Sequence, residues 1–309
     1  LSNSDLEKLV DTNDEWITSR TGIKERRMAG ENEFTSTMAV KAALKALEQA
    51  EVNPIDLDLI VVATITPDMP FPATACLVQQ ELRANKAAAF DLEAACSGFI
   101  YALEVGRAFI SSGVYQNVLI IGAEKLSSII DWEDRNTCVL FGDGAGAAVL
   151  QRRDGVRGVL ATRLGSDGNK AEILAMPGGG CRQPATVDSV NERIHFLKME
   201  GKEVYKNAVT AMTAAAKDVM KRSNLNIEDI KCIIPHQANQ RIISAIGERL
   251  GAREDQVFVN LQKYGNTSAA SVAVALDEAL QSGKIDRGDI ILIIAFGAGL
   301  TWGATILEW

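Results

Sequence analysis

No Cys-x-x-Cys pair occurs in these 309 residues, and the five cysteines, Cys76, Cys96, Cys138, Cys181 and Cys232, are odd in number and scattered. That excludes a zinc knuckle and a disulfide framework, and points to reduced thiols in a cytoplasmic protein. Histidine is scarcer still: His195 and His236 are the only two, so each needs its own explanation. Positive charge is in deficit, with 32 Lys and Arg against 40 Asp and Glu and a net charge of −8. Neither nucleic acid nor an anionic membrane surface suits such a chain as main partner, and an acidic partner would need a local basic patch. Long apolar runs are missing too. The longest charge-free stretch, Ile290 to Leu307, is interrupted by Gly297, Gly299 and Gly303 and falls short of the roughly 20 residues of a membrane-spanning helix. It reads as two buried strands around a glycine turn. No secretory leader is recognised, and because the chain opens at Leu1 without a methionine, residues are expected upstream.

What is present is a length sufficient for two domains and 47% apolar residues, enough to fill more than one core. Val40, Ala43, Leu44 and Leu47 follow helical spacing, and Leu59-Ile60-Val61-Val62-Ala63 follows as the continuous apolar run of a strand covered on both faces. Val204, Ala208, Met212, Ala215 and Val219 repeat the helix, and Ile230 to Ile234 repeats the strand. Ser111-Ser112-Gly113 and Gln281-Ser282-Gly283 each close a helix and precede the strands Val118 to Gly122 and Ile291 to Ala295. The helix ends are offset by 170 residues, and the same offset carries Cys96 onto Asn266. Alternating helices and buried strands predict a duplicated α/β fold. The halves are 1–154 and 155–309, divided at the charged turn Gln151-Arg152-Arg153-Asp154-Gly155.

A lone cysteine is by default a small buried apolar residue. Cys96, however, follows an apolar run and heads an alanine-rich helical stretch, where unpaired N–H groups and the helix dipole favour thiolate. Pro235-His236-Gln237-Ala238-Asn239 stands just past a buried strand, the end at which open α/β sheets place ligand chemistry. Asn266 alone would be an ordinary helix cap; pairing with Cys96 through the repeat promotes it. Two halves packed about a pseudo-twofold axis would bring Cys96, His236 and Asn266 to one pocket. His195, flanked by apolar residues in what reads as a strand, is assigned a structural role. Gly142-Asp143-Gly144-Ala145-Gly146-Ala147 matches a dinucleotide-binding spacing, but continues as a strand where that fingerprint must open a helix. Phe296 to Leu300 is a glycine turn after a strand, able to aim backbone N–H groups at a developing oxyanion.

These motifs, taken in order with Asp11 to Ile17, Arg20-Thr21-Gly22-Ile23 and Trp302-Gly303, resemble the thiolase superfamily, and within it the 3-oxoacyl-[acyl-carrier-protein] synthase III family, over essentially the whole chain. The resemblance implies a layered, duplicated α-β-α-β-α fold. It implies that Cys96 takes an acyl group from acyl-CoA, and that His236 and Asn266 bind the malonyl thioester of an acyl-carrier protein and stabilise the enolate left by decarboxylation. The backbone N–H groups of Cys96 and Ala298 would form the oxyanion hole. Trp16 and Arg135 would sandwich the CoA adenine, with Thr12, Arg20 and Asn239 nearby. Phe71 would close the acyl pocket across a homodimer interface, and Arg241, Arg249 and Lys206 would receive the carrier protein. No metal or redox cofactor is implied, CoA thioesters being substrates.

Two departures stand against that pattern. The family has a short strand with a glycine-rich turn upstream of the position of Leu1, expected inside the first-half sheet, so that a sheet without it would show a gap. Glu93 stands where small or neutral residues are common. A thiolase would carry a second cysteine in the turn from Phe296 to Leu300, and elongation condensing enzymes a second histidine in place of Asn266; this chain has neither. A related cysteine-dependent acyltransferase, or a condensing enzyme of secondary metabolism, is the alternative reading. A non-catalytic acyl-CoA-binding subunit ranks last.

Overall fold

The computed structural model describes residues 1–153 and 158–309, so the division expected between 154 and 155 lies outside the described residues. The chain begins with α1 (Asn3–Leu6), α2 (Asp14–Thr21), α3 (Thr35–Ala50), β1 (Leu59–Ala63), α4 (Thr74–Leu82) and β2 (Ala88–Leu92). It continues through α5 (Gly98–Ser111), β3 (Asn117–Glu124), α6 (Arg135–Cys138) and β4 (Gly144–Gln151). Next come β5 (Val159–Ser166), β6 (Leu174–Ala175), α7 (Val187–Asn191), β7 (Lys198–Met199), α8 (Gly201–Ser223) and β8 (Cys232–Pro235). Last are α9 (Gln240–Leu250), α10 (Leu261–Tyr264), α11 (Ala270–Gln281), β9 (Ile290–Gly297) and β10 (Thr301–Glu308).

Two mixed sheets follow, in the orders β2-β1-β3-β4 and β5-β10-β9-β8, with a small β6-β7 pair apart. β1 runs parallel to β2 and β3, and β8 parallel to β9, whereas β4 and β10 return antiparallel to β3 and β9. The repeat therefore maps β1, β3 and β4 onto β8, β9 and β10. β2 has only a remnant counterpart, a single parallel bridge between Ile233 and Val257. The expected gap inside the first sheet does not occur, because its four strands are contiguous. The halves differ at an edge instead: β5 covers the outer side of β10, whereas β4 has no strand on its outer side among the described residues.

Strand alternation builds the layers. Leu59, Val61, Ala63, Val118 and Ile120 face inward against α5 and α11, which in turn meet Ile234, Ile291, Ile293 and Ala295 of the second sheet. Ile60, Val62, Leu119 and Ile121 face outward beneath α3 and α4. Ile233, Leu292, Ile294 and Ile306 do the same beneath α8 and α9. Because each strand is covered on both faces, it reads as a continuous apolar run. The layers are α-β-α-β-α, with α5 and α11 as the central helices. Close packing at this centre demands glycine: a Cβ on Gly122 of β3 would lie 2.3 Å from the carbonyl oxygen of Ala269, at the start of α11.

Helical spacing was read correctly for α8, where Ala208, Met212, Ala215 and Val219 are buried. In α3, Leu44 is half exposed and Ala39 and Ala46 take the inner face with Ala43 and Leu47. The second-half strand begins at Cys232 and includes Pro235, two residues later than its apolar run implied. Pro235 fits there because β8 is the last strand of its sheet and needs no donor on its outer side. His195 is not in a strand; it sits in turns between α7 and β7. No helix among the described residues is long and apolar enough to cross a membrane.

Candidate active site

Cys96 lies between β2 and α5, in a 3-10 turn spanning Ala95–Ser97 rather than at the first turn of the α-helix itself. Ala95 adopts φ +46°, a left-handed conformation costly for a residue with a Cβ, and this sharp bend delivers the thiol into the interior. The bend is held by the carbonyl of Ala94, which accepts from the Ser97 N–H (3.2 Å), the Ser97 hydroxyl (2.8 Å) and the Thr301 hydroxyl (2.9 Å). Strand β9 ends against it. A Cβ on Gly297 would stand 2.7 Å from the amide nitrogen of Cys96, so only glycine lets the strand end approach this closely. Neither the Cys96 nor the Ala298 N–H is taken up by a backbone hydrogen bond, and both residues line the cavity described below.

Burial acts on the thiol against the helix-start effect. Burial pushes it up to about 12, Ser268 opposing and the negative charges of Glu124 and Glu93 adding to the rise. Desolvation by the surrounding residues is the largest cause of that rise.

His236 is the first residue past β8, and its N–H bonds the carbonyl of Ile294 at 2.7 Å. Its Nδ1 is 2.5 Å from the Ser271 hydroxyl, and burial alone pushes the imidazole down to about 3, keeping it neutral. The Gln237 N–H points at the same Ser271 oxygen (3.4 Å), which leaves the serine hydrogen free for Nδ1; in that arrangement Nε2 carries the imidazole hydrogen. Asn266 does not cap α11. It stands four residues before it, fixed by a bridge to Phe141 in which its N–H bonds the Leu140 carbonyl at 2.8 Å. Its Oδ1 accepts from the Ser268 N–H (2.9 Å), which leaves the Nδ2 hydrogens as free donors. Cys96, His236 and Asn266 line a single cavity of about 1350 Å³, larger than the roughly 300–1,000 Å³ of ordinary small-ligand pockets.

The same cavity takes Trp16, Arg20, Asn239, Arg241 and Ala298 in its lining. Asn239 also caps α9, its side chain accepting from the Arg241 N–H and donating to the Arg20 carbonyl (3.2 Å). The guanidiniums of Arg20 and Arg135 lie 4.8 Å and 5.2 Å from the Trp16 ring centre. A base stacked between Trp16 and Arg135 needs two contact distances of about 3.5 Å, so Arg135 has to swing aside first. It is held by the Asp11 carbonyl at 2.8 Å. Thr12 Oγ1 is buried without a hydrogen-bond partner. Phe71 is outside the cavity and 83% exposed, and Arg249 and Lys206 are exposed and outside its lining. Glu93 lines the cavity and accepts from the Ala95 N–H at 3.2 Å.

Several residues of consequence were not singled out from sequence. Ser271 meets His236 Nδ1 at 2.5 Å. Gln237, within the quoted motif, is a structural staple: it donates to the carbonyls of Pro235 and Phe258 and accepts from the N–H groups of Asn260 and Leu261. Glu124 is fully buried at the end of β3. A lone carboxylate directly after a continuous apolar strand was the available signal for it.

Models of the 3-oxoacyl-[acyl-carrier-protein (ACP)] synthase III family match residues 90–168, and its C-terminal part matches residues 220–309. A beta-ketoacyl-[acyl-carrier-protein] synthase III of Caldanaerobacter subterraneus is 57% identical, covering 100% of this chain and 93% of that protein. The crystal structure of 3-oxoacyl-[acyl-carrier-protein] synthase III from Aquifex aeolicus superposes with a TM-score of 0.94 at 51% identity, covering 100% of this chain and 95% of that one. The corresponding synthase III structure from Thermus thermophilus gives 0.93 at 47% identity, covering 100% and 95%. With a duplicated thiolase-like fold and matches over its full length, this chain belongs to the 3-oxoacyl-[acyl-carrier-protein] synthase III family.

Proposed function

We propose that this protein performs a decarboxylating Claisen condensation: an acyl group from acyl-CoA is joined to malonyl-acyl-carrier protein, giving 3-oxoacyl-acyl-carrier protein, CoA and CO₂, the step that starts fatty-acid synthesis. One observation supports it above the rest: a thiol, an imidazole and a carboxamide with free N–H groups line the same cavity. Cys96 attacks the acyl-CoA thioester and holds the acyl group. His236 Nε2–H and Asn266 Nδ2–H then bind the malonyl thioester oxygen, so that loss of CO₂ leaves an enolate with its charge met by two donors. The enolate carbon attacks the acyl-Cys96 carbonyl, whose oxyanion is received by the N–H groups of Cys96 and Ala298; one such donor is worth about 10²–10³ in rate.

Trp16, Arg20 and Asn239 in the cavity lining, with Thr12 and with Arg135 beside the Trp16 ring, receive the CoA nucleotide, Trp16 offering a ring face and Arg135 a planar cation. Arg241 at the mouth, with Arg249 and Lys206 farther out, offers positive charge to the carrier protein. A homodimer is supported by the open edge of β2 and the exposed Phe71, Met69 and Phe90 around it, a patch where a second copy brings its own Phe71 to the acyl pocket. The expected setting is the cytoplasm. Incubating the protein with acyl-CoA and malonyl-acyl-carrier protein tests the reading, by intact mass and by CO₂ release. Wild type should show an acyl adduct and CO₂; Cys96→Ala should lose the adduct, and Asn266→Ala should keep it while CO₂ release fails. No adduct on wild type removes the enzyme reading, and an adduct without CO₂ or 3-oxoacyl product leaves simple acyl transfer.

A further inference from the structure

The two oxyanion donors come from opposite halves of the chain, Cys96 from the turn after β2 and Ala298 from the turn between β9 and β10. Two N–H groups stabilise one oxygen only when both point at it, so the spacing of the two turns matters as much as the donors themselves. No sheet pairing sets that spacing. β2 belongs to the first sheet and β9 and β10 to the second, and among the described residues no backbone–backbone hydrogen bond joins residues 94–98 to residues 296–301. Gly297 lets the strand end come close to the Cys96 nitrogen, but an absent side chain holds nothing in place.

Thr301 supplies the tie. It opens β10 opposite Gly297 and lines the catalytic cavity. Its Oγ1 lies 2.9 Å from the Ala298 carbonyl on its own turn and 2.9 Å from the Ala94 carbonyl on the other. Ser97, fully buried next to Cys96, donates through its hydroxyl to Thr301 Oγ1 at 2.7 Å, and the same hydroxyl is 2.8 Å from the Ala94 carbonyl. Both carbonyls stand beside a donor. The Ala298 oxygen belongs to the residue whose own N–H enters the hole, and the Ala94 oxygen accepts the Ser97 N–H at 3.2 Å, closing the 3-10 turn that has Cys96 at its centre. Among the described residues, each hydrogen bond between the two turns has Thr301 Oγ1 at one end.

We propose that Thr301 is the positioning residue of the oxyanion hole: its hydroxyl sets the distance between the Cys96 and Ala298 N–H groups, and Ser97 is the second point of the clamp. The proposal rests on the acyl-Cys96 chemistry and the oxyanion hole put forward above. Thr301 gives no hydrogen to the reacting oxygen and acts through the two backbone donors. Its influence therefore falls on the tetrahedral steps. Transfer of the acyl group to Cys96 and attack of the enolate on acyl-Cys96 share the hole, whereas decarboxylation of the malonyl thioester places its charge on His236 and Asn266. A donor moved by about 1 Å costs on the order of 10²-fold in rate, which is the loss expected when the tie is cut.

The test is single-turnover acylation of Cys96, followed by adduct mass over a range of acyl-CoA concentrations. Thr301→Val keeps the shape of the side chain and removes the hydroxyl. Its maximal acylation rate should fall about 10²-fold while the half-saturating acyl-CoA concentration stays put, as when an interaction made only in the transition state is lost. Thr301→Ser, which keeps the hydroxyl, should recover most of that rate. Ser97→Ala leaves Thr301 its contacts with both carbonyls and should cost less than Thr301→Val. Alkylation of Cys96 by iodoacetamide passes through no oxyanion, so its rate should be the same in Thr301→Val as in wild type. Decarboxylation of the malonyl thioester, measured in a Cys96→Ala background, should be equally indifferent. Undiminished acylation in Thr301→Val, a loss carried by the half-saturating concentration alone, a Thr301→Ser or Ser97→Ala variant as slow as Thr301→Val, or a parallel loss of alkylation or decarboxylation overturns the proposal. Absence of any adduct on wild type is instead a failure of the proposed function.

Discussion

Replacing Ser271 by alanine should separate the two half-reactions. In the wild type the Ser271 oxygen accepts from the Gln237 N–H at 3.4 Å and gives its own hydrogen to His236 Nδ1 at 2.5 Å. The imidazole, held neutral because burial pushes it down to about 3, is therefore kept in the tautomer whose Nε2 carries the hydrogen. Without the serine, that tautomer leaves a buried Nδ1 lone pair unmet, a penalty of about 1–3 kcal/mol. The ring then favours the other tautomer, which presents a lone pair to the thioester oxygen. At 1.4 kcal/mol per tenfold, CO₂ release should fall by roughly 10–100-fold. Acylation of Cys96 should not change, because His236 takes no part in it. The assays are CO₂ release from malonyl-carrier protein on preformed acyl-enzyme, adduct formation by mass, and the tautomer by ¹⁵N shifts of labelled histidine. A flipped tautomer with undiminished CO₂ release would refute the donor role of Nε2. An unflipped tautomer would refute the role given to Ser271.

Gly297→Ala places a Cβ 2.7 Å from the Cys96 nitrogen and 3.1 Å from both the Ala94 oxygen and the Ser97 nitrogen, all backbone atoms that cannot rotate away. The strand end must retreat, taking the Ala298 N–H with it, and acylation should fall about 10²-fold in a protein that still folds; an adduct rate equal to wild type would contradict the oxyanion geometry. Glu124 should also leave a mark on stability. Its folded-state value of about 7 exceeds the ordinary 4.5, so the folded state binds the proton more tightly. Stability is then full below about pH 4.5 and declines as pH rises to about 7, by about 3 kcal/mol in all. Glu124→Gln should flatten that decline in urea titrations across the window, and an identical pH slope in the variant would show that the carboxylate is not held as described.

The duplicated architecture was legible because every strand of the two sheets that matters to the site is covered on both faces, so apolar runs mark β1, β3, β8 and β9 directly. Strand order was not, since periodicity carries no information about neighbours across a sheet. The remnant of a β2 counterpart at Val257 contributes one bridge and no pattern, and the edge difference at β4 emerges only when the two sheets are compared. The match of Cys96 with Asn266 held to the level of helix lead-ins and failed in detail. One side ends in a 3-10 turn two residues before its helix, the other in a bridge to Phe141 four residues before its own.

The burial acting on Cys96 and the unnoticed Glu124 were hidden from the sequence for the same reason. A helix start is a local property, visible in a window of a few residues, and it argues for thiolate. Desolvation is not local: Thr64, Glu124 and Ser268 come from three separate segments, and they meet only because β1, β3 and the α11 lead-in end at one point. A thiol pushed up to about 12 at rest is of little use as a nucleophile unless a base takes its proton during attack. The burial that raises the thiol also raises Glu124 to about 7. The two shifts therefore have one origin, desolvation where segments far apart in the sequence come together.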